Sequence, residues 1–194
     1  MNSNLLSKIE NRISELPQGL QEHIARTRNL ARDIASFYGT DLNRCDIAVA
    51  AHDIVRHLKS DELINCAKQY AVNIAELDYK QPILLHGPIA AKIIEIEYFC
   101  KDEDIIAAVR YHTTGRPNMT DIEKIVFIAD KVEPMKVTKN PFLKSVEALI
   151  YKDVDSAIKK YLSVRSKMLF DTGAVIHPLA IDTWNSLIDN KSLN

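Results

Sequence analysis

Glycine is scarce in this chain: 5 residues of 194, against a usual share of about 7%. Few glycines leave few places for the positive-φ turns that join hairpins, which argues for helices. Cysteine is scarce too. Cys45, Cys66 and Cys100 stand 21 and 34 residues apart, with no CxxC pair. That spacing carries neither a thiolate zinc signature nor a disulfide framework. There is no excess charge of either sign. Lys plus Arg is 25 and Asp plus Glu is 26, a net charge of −1, so nothing global draws the chain to nucleic acid or a membrane surface. Long apolar runs are missing: residues 47–51 and 125–129 reach five, whereas a membrane span needs about 20. Residues 1–10 lack the basic start and apolar stretch of a signal peptide. These absences leave a cytoplasmic protein. Its 46% hydrophobic and 26% charged residues are those of a folded, globular one.

What is present is a helical period. Leu5, Ile9, Ile13 and Leu16 form a stripe that stops at Pro17. Leu20, Ile24, Thr27, Ala31, Ile34 and Phe37 form the next, ended by Gly39. Asp41 starts a segment carrying Ile47, Ala48, Ala51 and Val55, and Ser60 caps a fourth that runs to about Ala71. Residues 72–85 are ambiguous. Gly87-Pro88 opens a helix, Asp102 caps 103–112, and Thr120 with Glu123 is a capping box for 121–133. Helices over 141–152, 154–171 and 178–190 complete an all-α chain, with no repeat or linker to divide it.

Histidine is where the chemistry gathers. His112 follows Ile105 and Val109 at helical steps, His52 lies within reach of Ala48 and Val55, His23 borders the Ile24–Thr27–Ala31 face, and Asp130 closes an apolar run. A buried, unpaired carboxylate costs several kcal/mol, so Asp53 and Asp130 need a cation, a hydrogen-bond network or exposure. Taken singly, each residue has an ordinary explanation as a satisfied core or surface group. Together, His23, His52-Asp53, His86, His112 and Asp130 have the composition of a metal site of imidazoles and carboxylates. Adjacent helical residues point about 100° apart, so the site must lie between helices. Beside His112, the run Thr113-Thr114-Gly115-Arg116 ends a helix with hydroxyls, a glycine and a guanidinium, groups that suit a phosphate. His57 reads as exposed and His177 as local to a helix start.

The order of these residues resembles that of the HD-domain metal-dependent phosphohydrolases. More narrowly, it is similar to the YqeK-like proteins, the bacterial symmetrical diadenosine tetraphosphate (Ap4A) hydrolases. The resemblance rests on Glu22-His23, Ala51-His52-Asp53-Ile54, Leu84-Leu85-His86-Gly87-Pro88 and the block from Arg110 to Thr120. It continues through Ala129-Asp130-Lys131-Val132-Glu133-Pro134 and, more weakly, His177-Pro178 and Asn185. It implies an HD-domain helical bundle, one domain over 1–194, with a core at about 18–134 and C-terminal helices at about 141–190. It implies that His23, His52, Asp53 and Asp130 hold a metal, iron first, with manganese and other transition metals open. His86 and His112 would either complete a second metal position or contact phosphates, and with Asp53 they are the candidate catalytic residues. Arg56, His86, His112, Thr113, Gly115, Arg116, Lys131 and Lys136 are the candidate substrate contacts. The implied reaction cleaves Ap4A between its central phosphates to two ADP. Related purine dinucleotides fit the same site, with ADP or GDP as product, and a homodimer is the implied assembly.

The chain departs from that pattern at Leu20, where arginine is usual, at Arg56 for lysine, at Lys136 for arginine and at Ala180 for threonine. All four positions are expected at nucleotide or phosphate contacts, not at the metal. Two other readings stand beside Ap4A hydrolysis. One is an HD enzyme for another nucleotide, although the acidic pair of (p)ppGpp hydrolases and a GYP motif are both missing. The other is a metal- and nucleotide-binding sensor with little turnover. The lysines at 136, 139, 144 and 152 are interspersed with Glu147, Asp153 and Asp155, which reads as solvated helix surface rather than a nucleic-acid face.

Overall fold

The computed structural model describes residues 2–189, which form helices joined by short turns, with no strand among the described residues. The helices are α1 (Asn2–Ser14), α2 (Gln18–Tyr38), α3 (Leu42–Ala51), α4 (Ser60–Gln69), α5 (Glu76–Lys80) and α6 (His86–Ile96). After them come α7 (Glu103–Tyr111), α8 (Asp121–Val132), α9 (Pro134–Lys139), α10 (Lys144–Glu147), α11 (Val154–Asp171) and α12 (Pro178–Asp189). The all-α expectation is met. Residue 190, the expected end of the last helix, lies outside the described residues.

The core is built around α8. Its residues from Ile122 to Val132 are buried apart from Lys124, as befits a helix apolar on nearly every side. The helices α2, α3, α7 and α11 all pack against it. Phe127 is fully buried there, a burial that contributes roughly 1.5–3 kcal/mol. On α3, Ala48, Ala50 and Ala51 are small enough to let its neighbours approach closely. Gly87 does the same for α6: a Cβ there would meet the Arg110 carbonyl oxygen at 2.9 Å.

The caps follow the sequence with two corrections. The Asp41 carboxylate accepts from Asn43 and Arg44 N–H, and that of Asp102 from Asp104 and Ile105 N–H. Gly39 ends α2 at φ +68°, as its position predicts. Ser60, the expected cap of α4, is instead its first residue. The turn is closed from the other side, by the Lys59 N–H donating to Glu62 Oε2 at 2.7 Å. The expected helix over 141–152 is broken into a 3-10 turn (Pro141–Leu143), the short α10 and further turns to Lys152. Two contacts hold this shape: Leu143, Val146 and Ile150 are buried, and the Ile150 carbonyl accepts from the Tyr38 hydroxyl at 2.5 Å. The ambiguous 72–85 stretch resolves into α5 and a 3-10 turn, Pro82–Leu85.

Candidate metal centre and adjoining cleft

The six residues singled out around the HD pair come together, and most do so from helix ends. His52 and Asp53 directly follow α3, His86 is the first residue of α6, His112 directly follows α7, and Asp130 sits near the end of α8. Only His23 lies well inside a helix, on the buried face of α2. His52 keeps helical dihedrals (φ −57°, ψ −36°), and both side chains of the HD pair reach the cluster.

Backbone carbonyls orient three of the imidazoles alike. The Nδ1–H of His52 donates to the Val49 carbonyl at 2.6 Å, that of His112 to Val109 at 2.8 Å, and that of His86 to Ile83. A carbonyl can only accept, so each Nδ1 carries the proton and each Nε2 faces the cluster. There His23 Nε2 stands 3.3 Å from His52 Nε2, and His86 Nε2 stands 2.9 Å from His112 Nε2. Asp130 Oδ1 lies 3.1 Å from His23 Nε2 and 3.7 Å from His52 Nε2. Asp53 reaches both pairs: Oδ2 is 3.5 Å from His23 and 3.4 Å from His52, and Oδ1 is 3.2 Å from His86 and 3.5 Å from His112.

Charge and burial conflict inside this cluster. Burial works against ionising Asp53, but the charge on His52 beside it holds its carboxyl well below the usual range. Burial likewise opposes ionised Asp130, and Lys131, Lys136, His23 and His52 outweigh it. His52 is pushed down by burial but carried up to about 10 by the two carboxylates. His112 goes the other way, to about 4, because burial dominates.

The residues fit a metal on two counts. The Asp53 Oδ1 atom is buried and accepts no hydrogen bond, which a native interior rarely tolerates. The donor atoms of His23, His52 and Asp130, and those of His52, Asp53 and His112, lie within 4.8 Å of one another in each set. Imidazole and carboxylate without thiolate suit a divalent first-row ion.

The other expected site residues divide. Thr113 faces the cluster, its hydroxyl 3.1 Å from His112 Nε2. The Lys131 ammonium donates to Asp130 Oδ2 at 2.7 Å, and that of Lys136 to Asp130 Oδ1 at 2.6 Å. Arg56 is exposed and lines the cleft. Arg116 is bound bidentately by the buried Glu123 carboxylate, at 2.6 and 2.8 Å. Gly115 turns the chain at φ +70°, where a Cβ would stand 2.6 Å from Thr183 Oγ1. Both shape the turn after α7. His57 is exposed, and His177 Nδ1 accepts from the Leu179 N–H at the start of α12, as the sequence suggests.

Sequence reading missed Glu133. Its carboxylate is buried, lies 3.5 Å from His23 Nδ1 through Oε1, and accepts from Arg26 Nε at 2.7 Å through Oε2. The block ending in Glu133-Pro134 was a visible signal, but nothing in it says which histidine the carboxylate meets. A carboxylate behind a ligating imidazole orients it and raises its basicity. Glu133→Gln is therefore expected to weaken metal binding about 10-fold, read by competition with a chelating dye, with the helical circular dichroism unchanged.

Two openings reach the cluster. A cleft of about 420 Å³ runs towards Phe142, Tyr161, Arg165 and Met168. An open groove of about 540 Å³ runs towards Pro17, Gly19, Leu20 and His57. Both share Asp53, Arg56 and Lys136. The four departures lie on this system, since Leu20 lines the groove and Ala180 a smaller cavity of about 170 Å³ that shares Tyr161 and Arg165 with the cleft. Among the described residues no helix is long and apolar enough to cross a membrane.

Residues 20–135 match the family model described as HD domain. The symmetrical bis(5'-nucleosyl)-tetraphosphatase of Staphylococcus aureus is 37% identical over 120 residues, which are 62% of this chain and 61% of that protein. That of Halalkalibacterium halodurans is 31% identical over 167 residues, 86% of this chain and 88% of that protein. A solved structure from Clostridium acetobutylicum, described as a predicted HD superfamily hydrolase involved in NAD metabolism, superposes with a TM-score of 0.88. It is 27% identical and covers 95% of this chain and 97% of that one.

Proposed function

We propose that this chain, which belongs to the HD-domain family and within it to that of the symmetrical bis(5'-nucleosyl)-tetraphosphatases, hydrolyses Ap4A to two ADP. The observation that carries the reading is the His/Asp cluster at the junction of two openings. A symmetric dinucleotide cut at its middle needs its central phosphates at the reacting centre and one arm on either side.

His23, His52, Asp53 and Asp130 would hold the metal, which we take to be iron, and His86 and His112 would complete a second metal position or contact phosphates. When bound there, a metal acidifies water and neutralises phosphoryl charge. The protein supplies the rest. Hydrogen bonds to Val49, Ile83 and Val109 aim the imidazoles before substrate arrives, so little reorganisation is left for the reaction. Lys131 and Lys136 keep Asp130 ionised and in place. Arg56, shared by both openings, meets the central phosphates, where negative charge builds as water adds to phosphorus and the ADP oxygen leaves. The Thr113 hydroxyl offers a donor beside the same phosphates.

The test is elemental analysis of protein purified without chelator, followed by chromatography of Ap4A digests. Two ADP per Ap4A is the expected result. AMP with ATP would refute symmetrical cleavage. Full metal content with no product from any dinucleoside polyphosphate, but tight nucleotide binding by calorimetry, would replace the enzyme with a sensor.

A further inference from the structure

The cations near the cluster are mostly committed. Lys131 and Lys136 hold Asp130, Arg116 holds Glu123, and Arg26 holds Glu133. Two guanidinium groups on the cleft, those of Arg56 and Arg165, pair with no carboxylate among the described residues. They are placed differently. Arg56 is common to both openings, whereas Arg165, exposed on α11, lines the cleft and the small cavity beside it but not the groove.

The walls differ in the same sense. The cleft offers two half-buried rings: Phe142 from the turn after α9, and Tyr161 one helical turn before Arg165. Its volume, about 420 Å³, falls within the range of small-molecule pockets. The groove offers no aromatic ring apart from the imidazoles of His23 and His57, and no arginine besides Arg56. A nucleobase gains from a flat ring to stack on, and a phosphate gains from a guanidinium that can meet it with two N–H groups. Only the cleft has both.

We propose that the cleft is the subsite for one nucleoside diphosphate half of the substrate, with Arg165 on its phosphates and Tyr161 and Phe142 against its base. The other half lies in the open groove with few contacts. The two arms of a symmetric substrate are thus held unequally, and Arg165 determines affinity for the retained arm. This rests on the hydrolytic reading above for its substrate, but not for its binding site.

Two measurements on metal-loaded, full-length protein test it: calorimetric titration with ADP, and steady-state hydrolysis of Ap4A. Arg165→Ala is expected to raise both the Kd for ADP and the KM for Ap4A about 10-fold, the scale of one lost charge-assisted contact. The kcat should stay within about 3-fold and the metal content full, because Arg165 bonds to none of the six His/Asp cluster residues. Arg165→Lys should restore part of the affinity, and Tyr161→Ala should weaken ADP binding in the same direction. A merely structural role would lower metal content or kcat instead. Unchanged ADP affinity and KM in Arg165→Ala would overturn the subsite. Arg165-dependent ADP binding in a wild type that forms no ADP from Ap4A would leave the subsite standing and overturn the hydrolytic reading alone.

Discussion

Asp130→Ala is expected to lose bound metal and hydrolysis together, with turnover falling roughly 10³-fold or more, since several kcal/mol of transition-state charge stabilisation leave with the ion. Asp130 offers one oxygen to His23 and His52 and presents the other to Lys131. Removing it takes away the only carboxylate that meets the His23–His52 pair from α8. It also strands the buried Lys131 ammonium, and an unpaired buried charge costs about 3–5 kcal/mol. That second cost could unfold the protein and imitate the expected result. Asp130→Asn loses the charge and one of the two acceptor oxygens but keeps the volume and an oxygen for Lys131, a smaller loss than alanine, and His52→Ala leaves Lys131 paired. All three variants should lack metal by elemental analysis, and the last two should keep their helical circular dichroism. Retained turnover in Asp130→Asn with metal still bound would remove Asp130 from the ligand set.

The His/Asp cluster was legible in the sequence because each member breaks a pattern that is otherwise apolar. His23 interrupts the buried face of α2, and Asp130 ends the apolar run of α8. Charge on a stripe that must be buried is a local anomaly, visible without coordinates. The partners of those residues were not legible. Glu133 has the same residue type whether it meets His23, as here, or solvent. Glu123 was read as half of a capping box, and it is one, since Oε2 accepts from the Thr120 N–H at 2.8 Å. The same carboxylate also binds Arg116, and no helix-start rule predicts that double use. Arg165 sits more than thirty residues beyond Asp130, on an α11 whose pattern is ordinary, and only the packing of α11 on α8 brings it to the cleft. The break in the expected 141–152 helix has the same origin. Its local pattern is helical, and the contact between Tyr38 and the Ile150 carbonyl is made across more than a hundred residues of chain.

Metal uptake at neutral pH is expected to release about one proton per ion, because a ligating histidine must give up its proton to bind. Without a cation, Asp53 and Asp130 are both ionised, and the cluster supplies its own positive charge by protonating His52, whose value is carried up to about 10. The His52 Nδ1 proton is committed to the Val49 carbonyl, so the proton that leaves is the one on Nε2, the atom that faces the site. His112, pushed down to about 4 by burial, is already neutral and releases none. The sign follows directly. Below pH 10 metal and proton compete for the same lone pair, so affinity should fall about tenfold per pH unit, steepening again near pH 4 as His112 protonates. Calorimetric titration in buffers of different ionisation enthalpy measures the count: a slope near one proton at pH 7 is expected. A slope of zero would mean that His52 is neutral before metal arrives. The carboxylate pair would then have to be balanced by Lys131 and Lys136 alone, and those lysines rather than His52 would set the affinity.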